Sequence, residues 1–169
     1  MRLMVRPILI VVTVLGFAVI AWYWFTSLRF EDAPAVQFTM LDGSKPMLTE
    51  MHGSPVLVTF WGTSCVECLR EMPDLVRMHD DFAHRGLHII GVAMPFEPPD
   101  RVYQFQKMRK LPYQLSLDIN ASLASGFGDV RLTPTTILVS PQGKIVYNKI
   151  GPFDVEWLRG RIVAMLKET

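Results

Sequence analysis

The stretch FWGTSCVEC, residues 60–68, contains both cysteines of this 169-residue chain, Cys65 and Cys68. An apolar run at residues 55–61 leads into it and predicts a strand that is buried on both faces. From residue 66 to about residue 84, apolar residues recur at helical spacing, so the cysteines stand where a strand passes into a helix. Two thiols at this spacing and in this context indicate a redox pair.

The predicted helix gives the two cysteines different roles. A cysteine at a helix N-terminus faces free backbone N–H groups and the positive end of the helix dipole, and both favour the thiolate. Cys65 occupies that position and is the predicted nucleophile. Cys68, one turn later, is the predicted resolving thiol that attacks a mixed disulfide on Cys65. Arg70 should favour the thiolate and Glu67 should oppose it, and the sequence leaves that balance open.

Other uses of two cysteines fit less well. A structural disulfide would close only a tiny loop and would stabilise the fold by about 2 kcal/mol at most. A zinc site needs about four ligands, and the chain has no second cysteine pair. Haem attachment would need a histidine after Cys68, where Leu69 stands. We take the four histidines as structural or surface residues, and we predict no metal site and no cofactor.

The N-terminal region is apolar. No charged residue lies between Pro7 and Phe25, a length that spans a bilayer as a helix. Arg2 and Arg6 precede it and place the N-terminus in the cytoplasm. The alternative is a cleaved signal peptide, and both alternatives export the rest of the chain. The predicted segments are a cytoplasmic N-terminus at 1–6, a transmembrane anchor at 7–27, a linker at 28–34 and a globular domain at 35–169.

Predicted strands alternate with predicted helices in the globular domain, which indicates an α/β fold. The strands are expected at 36–40, 56–61, 87–93, 113–117, 135–139 and 144–148. The helices are expected at 66–84, 101–109 and 119–127, followed by a last helix capped by Asp154. The chain has 17 basic and 16 acidic residues, and a net charge of +1 gives no electrostatic footprint for nucleic acid.

Several further motifs lie on either side of the cysteine pair. The stretch FWGTSCVEC is followed by EMP at 71–73 and LTPTT at 132–136, and preceded by FTMLDG at 38–43 and GSPVLV at 53–58. Together they resemble the thioredoxin superfamily, in particular its exported, membrane-anchored TlpA/ResA/CcmG-like thiol-disulfide oxidoreductases. The resemblance covers nearly all of residues 33–166. It implies a thioredoxin fold, with a central mixed sheet flanked by helices and an N-terminal hairpin extension, behind one transmembrane helix.

The resemblance also implies further site residues. The Thr133–Pro134 bond would be cis, so that the Thr133 backbone lies beside the cysteines and can bind an extended substrate segment. Trp61 would be a core ring, a docking surface for substrate, or both. Glu97 lies near the place of an acid/base residue in some ResA-like proteins, and a solvated loop charge is its alternative. Thr59 stands where cytoplasmic thioredoxins carry a buried aspartate.

The function that the resemblance implies is reduction of disulfides in exported proteins, for example in cytochrome c maturation or metal-site assembly. A membrane electron donor of the DsbD/CcdA type would recharge the cysteines. The protein would be a single-pass protein of the bacterial inner membrane, with its catalytic domain facing the periplasm or outside. Ser64 and the Val66-Glu67 dipeptide depart from the family pattern and leave the reduction potential open. The alternatives are an oxidase or isomerase of exported proteins, and a non-enzymatic copper-binding module.

Overall fold

The computed structural model of the chain describes residues 15–17, 19 and 30–168. The chain divides into two compact units, Met1–Phe30 and Glu31–Thr169. In the first unit, residues 15–17 and 19 are helical. The rest of the predicted anchor at 7–27 lies outside the described residues. None of the helices in the described part of the chain is both long enough and apolar enough to span a membrane.

The second unit is built on a five-stranded sheet with the order β3-β2-β1-β4-β5. Strands β1, β2 and β3 are parallel, β4 is antiparallel to β1, and β5 is antiparallel to β4. The fold is therefore the expected mixed α/β sheet of thioredoxin type. The strands are β1 (Val56–Trp61), β2 (His88–Ala93), β3 (Gln114–Leu117), β4 (Thr135–Val139) and β5 (Ile145–Ile150).

Four α-helices flank the sheet: α1 (Val66–Phe82), α2 (Pro99–Arg109), α3 (Ser122–Gly126) and α4 (Val155–Glu168). Helix α1 is continuous through Pro73. Helix α3 is shorter than predicted because the Asp118 carboxylate accepts the Leu123 and Ala124 N–H groups, at 2.9 and 2.8 Å, and so begins the helix late. The predicted cap of α4 is confirmed, since Asp154 Oδ1 accepts the Trp157 N–H at 3.0 Å.

The predicted strand at 36–40 is wrong, and the N-terminal hairpin extension is reduced to isolated bridges. Gln37 pairs with Met47, and the Phe38 N–H donates to the Pro46 carbonyl at 3.0 Å. In a regular antiparallel ladder, residue 46 would also donate its N–H to the Phe38 carbonyl. Pro46 has no N–H, so the ladder is interrupted there. The segment is still part of the fold, because Phe38 is fully buried.

Alternate residues of β1 point into two apolar cores, one on each face of the sheet. Leu57 and Trp61 belong to the core that includes the buried face of α1. Val58 and Phe60 belong to the other core. This arrangement fixes both ends of the loop between β1 and α1, and that loop contains Cys65.

Candidate active site

The topology brings the predicted site residues to one edge of the sheet. Because β5 runs parallel to β1, strands β1, β2, β3 and β5 all end at the edge where β4 begins. We call this edge the cysteine pole; it is defined by the strand ends at residues 61, 93, 117 and 150 and by residue 135. Ligands of open α/β sheets bind at the carboxyl ends of parallel strands. The cysteines stand in the loop that leaves β1 at this pole.

Cys65 and Cys68 are joined by a disulfide, with their Cα atoms 5.3 Å apart. Cys65 is the N-cap of α1, and its Sγ accepts the Cys68 backbone N–H at 3.2 Å. The same N–H group would stabilise a thiolate at Cys65 in the reduced protein. Cys65 is half-buried, whereas Cys68 is only 3% exposed. A substrate disulfide can therefore reach the Cys65 sulfur, while the Cys68 sulfur lies behind it.

The charges beside the cysteines form an ion pair. Arg70 Nη1 lies 2.5 Å from Glu67 Oε1, one helical turn away; the Arg70 side chain is largely exposed and the Glu67 side chain is about half exposed. Each charge is compensated by the other, so their opposite effects on a Cys65 thiolate largely cancel. The helix N-terminus is then the main local feature that favours the thiolate.

The Thr133–Pro134 peptide bond is cis, as expected. Phe60 pairs with Thr135 across the antiparallel strands β1 and β4, so the register brings Thr133 level with Gly62, beside the cysteine loop. The Pro134 carbonyl accepts the Gly151 N–H at 2.8 Å. The backbone groups of Thr133 have no hydrogen-bond partner among residues 30–168. They can therefore pair with the backbone of an incoming segment.

Trp61 is a core ring. It is 2% exposed, and its ring packs against Phe105 with the centroids 5.1 Å apart. A Cβ atom on Gly91 would lie 3.1 Å from Trp61 Nε1 and 2.6 Å from Leu115, so only glycine leaves room for this packing. The predicted role of Trp61 in substrate binding does not fit its placement, because the buried ring offers no surface to a partner.

Glu97 is buried beside the cysteine loop, which excludes a solvated loop charge. Its Oε1 accepts the Thr63 N–H at 2.9 Å, and its Oε2 accepts the Thr63 hydroxyl at 2.7 Å. A Cβ atom on Gly62 would lie 2.9 Å from Glu97 Oε1, so the carboxylate also requires glycine there. Glu97 therefore fixes the turn that leads from β1 to Cys65.

We expect Glu97→Ala to lower the free energy of unfolding by about 2 kcal/mol, because it leaves a part-buried N–H and a hydroxyl without their acceptor. Urea unfolding of the oxidised protein measures this. Glu67→Ala is the matched control, since it removes a carboxylate of an exposed ion pair and should cost less than about 1 kcal/mol. Equal losses in the two variants would contradict the assigned contact.

Glu71 is a site residue to which the sequence motif gave no role. It lies on the buried face of α1, one turn after Cys68, and is 8% exposed. Its Oε1 accepts the Phe153 N–H at 2.7 Å, and burial raises its pKa to about 7. At the position of the buried aspartate of thioredoxins stands Thr59, whose hydroxyl accepts the Thr136 hydroxyl at 3.3 Å. Glu71 is therefore a buried acid on the same face of α1 as Cys68, one turn away.

The sequence did contain a signal for Glu71. The apolar residues of α1 recur at helical spacing, and a glutamate falls within the stripe that they form, beside Met72 and below Cys68. A charged residue on a core face is rare unless it is paired or functional. Residues 15–17, 19 and 30–168 contain no group of three or more His, Cys, Asp or Glu side chains that could hold a metal ion.

Comparison with known proteins agrees with this geometry. Residues 31–148 match the AhpC/TSA family. The thiol-disulfide oxidoreductase ResA of Halalkalibacterium halodurans is 34% identical over 122 residues, covering 71% of this chain and 68% of that protein. ResA of Bacillus thuringiensis subsp. konkukian is 28% identical over 150 residues, covering 86% of each chain.

A solved structure shows the same fold around the same kind of chemistry. The thioredoxin domain of a thiol-disulfide oxidoreductase from Bacteroides vulgatus superposes with a TM-score of 0.69 at 26% identity, covering 80% of this chain and 99% of that one. The structure agrees with these comparisons, because the chain has a cysteine pair, a cis-proline and a mixed sheet. The chain belongs to the AhpC/TSA family within the thioredoxin superfamily, and it is a thiol-disulfide oxidoreductase of the ResA type.

Proposed function

We propose that this protein reduces disulfide bonds of exported proteins through Cys65 and Cys68. The observation that carries the proposal is the asymmetry of the pair, with Cys65 accessible at the N-terminus of α1 and Cys68 buried behind it. The Cys65 thiolate attacks a substrate disulfide, forms a mixed disulfide and releases one substrate thiolate. The Cys68 thiolate then attacks the Cys65 sulfur and releases the second, so two electrons pass to the substrate and the pair ends oxidised.

The neighbouring residues support both steps. The free backbone groups of Thr133, before cis-Pro134, hold the substrate segment in line with Cys65. Cys68 must lose a proton before it attacks, and a carboxyl group with a pKa of about 7, one turn away, suits that transfer. The role of Glu97 is to position the loop, through its two bonds to Thr63.

The direction of the reaction can be tested by the reduction potential of the Cys65–Cys68 pair. We expect a potential near that of thioredoxin, about −270 mV, because the proposed role is reductive. Equilibration of the protein with thiol–disulfide buffers of defined potential, followed by alkylation of free thiols, measures it. A potential near that of DsbA, about −120 mV, would instead support oxidation of exported proteins.

The proposed location is the bacterial inner membrane. The uncharged stretch at 7–25, preceded by Arg2 and Arg6, supports a single-pass anchor at 7–27 with a linker at 28–34 and the domain at 35–169 outside the cytoplasm. We expect the full chain to stay in membranes washed with alkaline carbonate and its domain to be cleaved by protease added to spheroplasts. A mature protein that begins after Ala21 would identify a cleaved signal peptide instead.

An exported reductase needs partners of two kinds. The exported compartment is oxidising, so a membrane donor of the DsbD/CcdA type must return two electrons to the disulfide after each cycle. The substrates are exported proteins with cysteine pairs, and apocytochrome c before haem attachment and copper-site proteins are the proposed examples. The names of the ResA relatives support the exchange chemistry, and the substrates and the donor are our extension of it.

A further inference from the structure

Helices α1 and α2 both end at the edge of the sheet opposite the cysteine pole. We call it the far edge; it is defined by the strand starts at residues 56, 88, 114 and 145. Each of the two helices follows a strand that ends at the cysteine pole and precedes a strand that begins at the far edge. Their ends meet there, because Ala83 after α1 and Pro112 after α2 line one cavity of about 500 Å³.

Four cationic side chains stand at these two helix ends. We call them the basic cluster: Arg85, which follows α1, and Lys107, Arg109 and Lys110, at the end of α2. All four residues are exposed, and none of them forms an ion pair within the described part of the chain. A local concentration of unpaired positive charge attracts an anionic partner.

Three of the four cations lie over aromatic rings instead of beside carboxylates. The distances to the ring centroids are 5.7 Å for Arg85 over Phe82, 4.4 Å for Lys107 over Tyr103 and 5.6 Å for Arg109 over Phe105. A ring face attracts the cation as a whole and leaves its N–H groups without a conventional acceptor. These donors are therefore available to the oxygens of a phosphate group.

The acids of α1 and α2 do not neutralise the cluster. Asp81 pairs with Arg159 at 2.6 Å, and Asp80 Oδ1 lies 3.5 Å from His79 Nδ1. Asp100, the one acid of α2, stands in its first turn, at the end near the cysteine pole. The ends of the two helices therefore carry a net positive charge, in a chain whose total charge is only +1.

The helix dipole favours cations at the end of α2, but it does not account for two features there. Met108, between the cations, is 74% exposed. Lys110 has a left-handed backbone, with a φ of 51°, where glycine is usual and other residues are penalised. After α1, Gly86 takes this place, at a φ of 106°. An exposed apolar side chain among cations is typical of a surface that binds at a membrane interface.

The linker is also bound at the far edge. Two backbone bonds hold it to the turn between β4 and β5: the Ile145 N–H donates to the Glu31 carbonyl at 2.8 Å, and the Ala33 N–H donates to the Gly143 carbonyl at 2.9 Å. The proposed anchor ends at residue 27. Three extended residues reach roughly 10 Å, so an anchored chain keeps this edge close to the bilayer.

We propose that the basic cluster binds the anionic phosphate headgroups of the bilayer, so that the far edge lies on the membrane and the cysteine pole faces away from it. This inference rests on the proposed membrane location and adds an orientation to it. Strand β1 has six residues and spans roughly 20 Å, so the cysteines stand about that far from the lipid surface. The membrane electron donor must then offer its thiols on a part that projects from the bilayer.

Lysine labelling in lipid nanodiscs tests this orientation. The full chain is reconstituted in discs of phosphatidylcholine, with or without phosphatidylglycerol, and mass spectrometry follows acetylation of each lysine. We expect Lys107 and Lys110 to react roughly 5-fold more slowly in the anionic discs, the effect of about one basic side chain at such a surface. Exposed Lys149, near the cysteine pole, should react equally in both discs. Salt at about 1 M should remove the difference, because it screens charges beyond ~3 Å.

Arg109→Gln and Arg101→Gln are the matched variants, since both arginines are exposed on α2 and only Arg109 belongs to the cluster. Arg109→Gln should reduce the difference at Lys107 and Lys110 several-fold, and Arg101→Gln should keep it. Equal rates in the two discs, or a difference that Arg109→Gln leaves unchanged, contradict the inference. Protection in native membranes but not in anionic discs would indicate an acidic protein partner and contradict it too. A chain that enters neither disc contradicts the proposed location instead.

Discussion

Cys65→Ser is expected to reduce disulfide exchange to the uncatalysed background. The thiolate is the attacking group, and a serine hydroxyl at the same N-cap position stays protonated at neutral pH. Cys68 cannot replace it, because only 3% of Cys68 is exposed. The initial rate of reduction of a test protein disulfide measures the loss. Ser64→Ala, which changes the adjacent exposed residue and leaves both thiols, should retain the exchange.

Cys68→Ser should instead trap an intermediate. Cys65 can still attack the substrate disulfide, but no second thiol is present to resolve the mixed disulfide. Mixed disulfides between Cys65 and substrate then accumulate and are visible as adducts on non-reducing gels. Mass spectrometry of the adducts identifies both the cysteine used and the attached protein. Cys65→Ser should give no adduct, and adducts through Cys68 at a similar yield in that variant would reverse the assigned roles. The trapped proteins would also show whether exported proteins are the substrates.

The central part of the fold could be predicted because its signals are local. Strand β1 is buried on both faces, which leaves an unbroken apolar run in the sequence. The segment at 36–40 shows the alternation of a strand but is not one, because its partner contains Pro46. The first residues of the predicted helix at 119–127 are not helical. The Asp118 carboxylate, which precedes the predicted segment, accepts the N–H groups of Leu123 and Ala124 and so sets a later start. Boundaries of this kind depend on single side-chain contacts.

Some features of the site could likewise be predicted from the sequence, and others could not. The cysteine pair follows from its spacing, and the cis bond before Pro134 follows from the family resemblance. The placement of the acids depends on distant parts of the chain, since Glu97 bonds a residue 34 positions away and Glu71 one 82 positions away. The burial of Trp61 likewise depends on Phe105 and Gly91, which come from other elements. The apolar stripe of α1 indicates that Glu71 is buried, but no local pattern identifies the distant partners of Glu71, Glu97 and Trp61.

Glu71→Gln is expected to remove a pH dependence of stability. Burial raises the Glu71 pKa from 4.5 to about 7 in the folded protein. Below about pH 4.5 the carboxyl is protonated in both states, and its contribution to stability is fully present. As the pH rises from about 4.5 to about 7, the unfolded chain has released the proton while the folded protein still holds it, so the free energy of unfolding falls and this contribution is lost once the pH passes 7. The fall is at most about 3 kcal/mol, and we expect about 2 kcal/mol because some solvent contact remains.

Urea unfolding of the oxidised protein between pH 4.5 and 8.5 measures this difference. Glutamine keeps an oxygen that can accept the Phe153 N–H, so the variant should fold and its stability should change less with pH. Glu67→Gln, on the exposed side of the same helix, is the control and should keep the wild-type dependence. Identical profiles for wild type and Glu71→Gln would show that the carboxyl has no raised pKa.

The same variant separates a structural role of Glu71 from a chemical one. If the carboxylate takes the proton of Cys68, resolution of the mixed disulfide accelerates as the pH rises through 7 in the wild type, where the base becomes available. Glu71→Gln should slow this step roughly 100-fold and lose that inflection, since an amide accepts no proton at these pH values. Single-turnover release of substrate from Cys65 measures it. A changed stability profile with an unchanged rate profile would restrict Glu71 to holding Phe153 against α1.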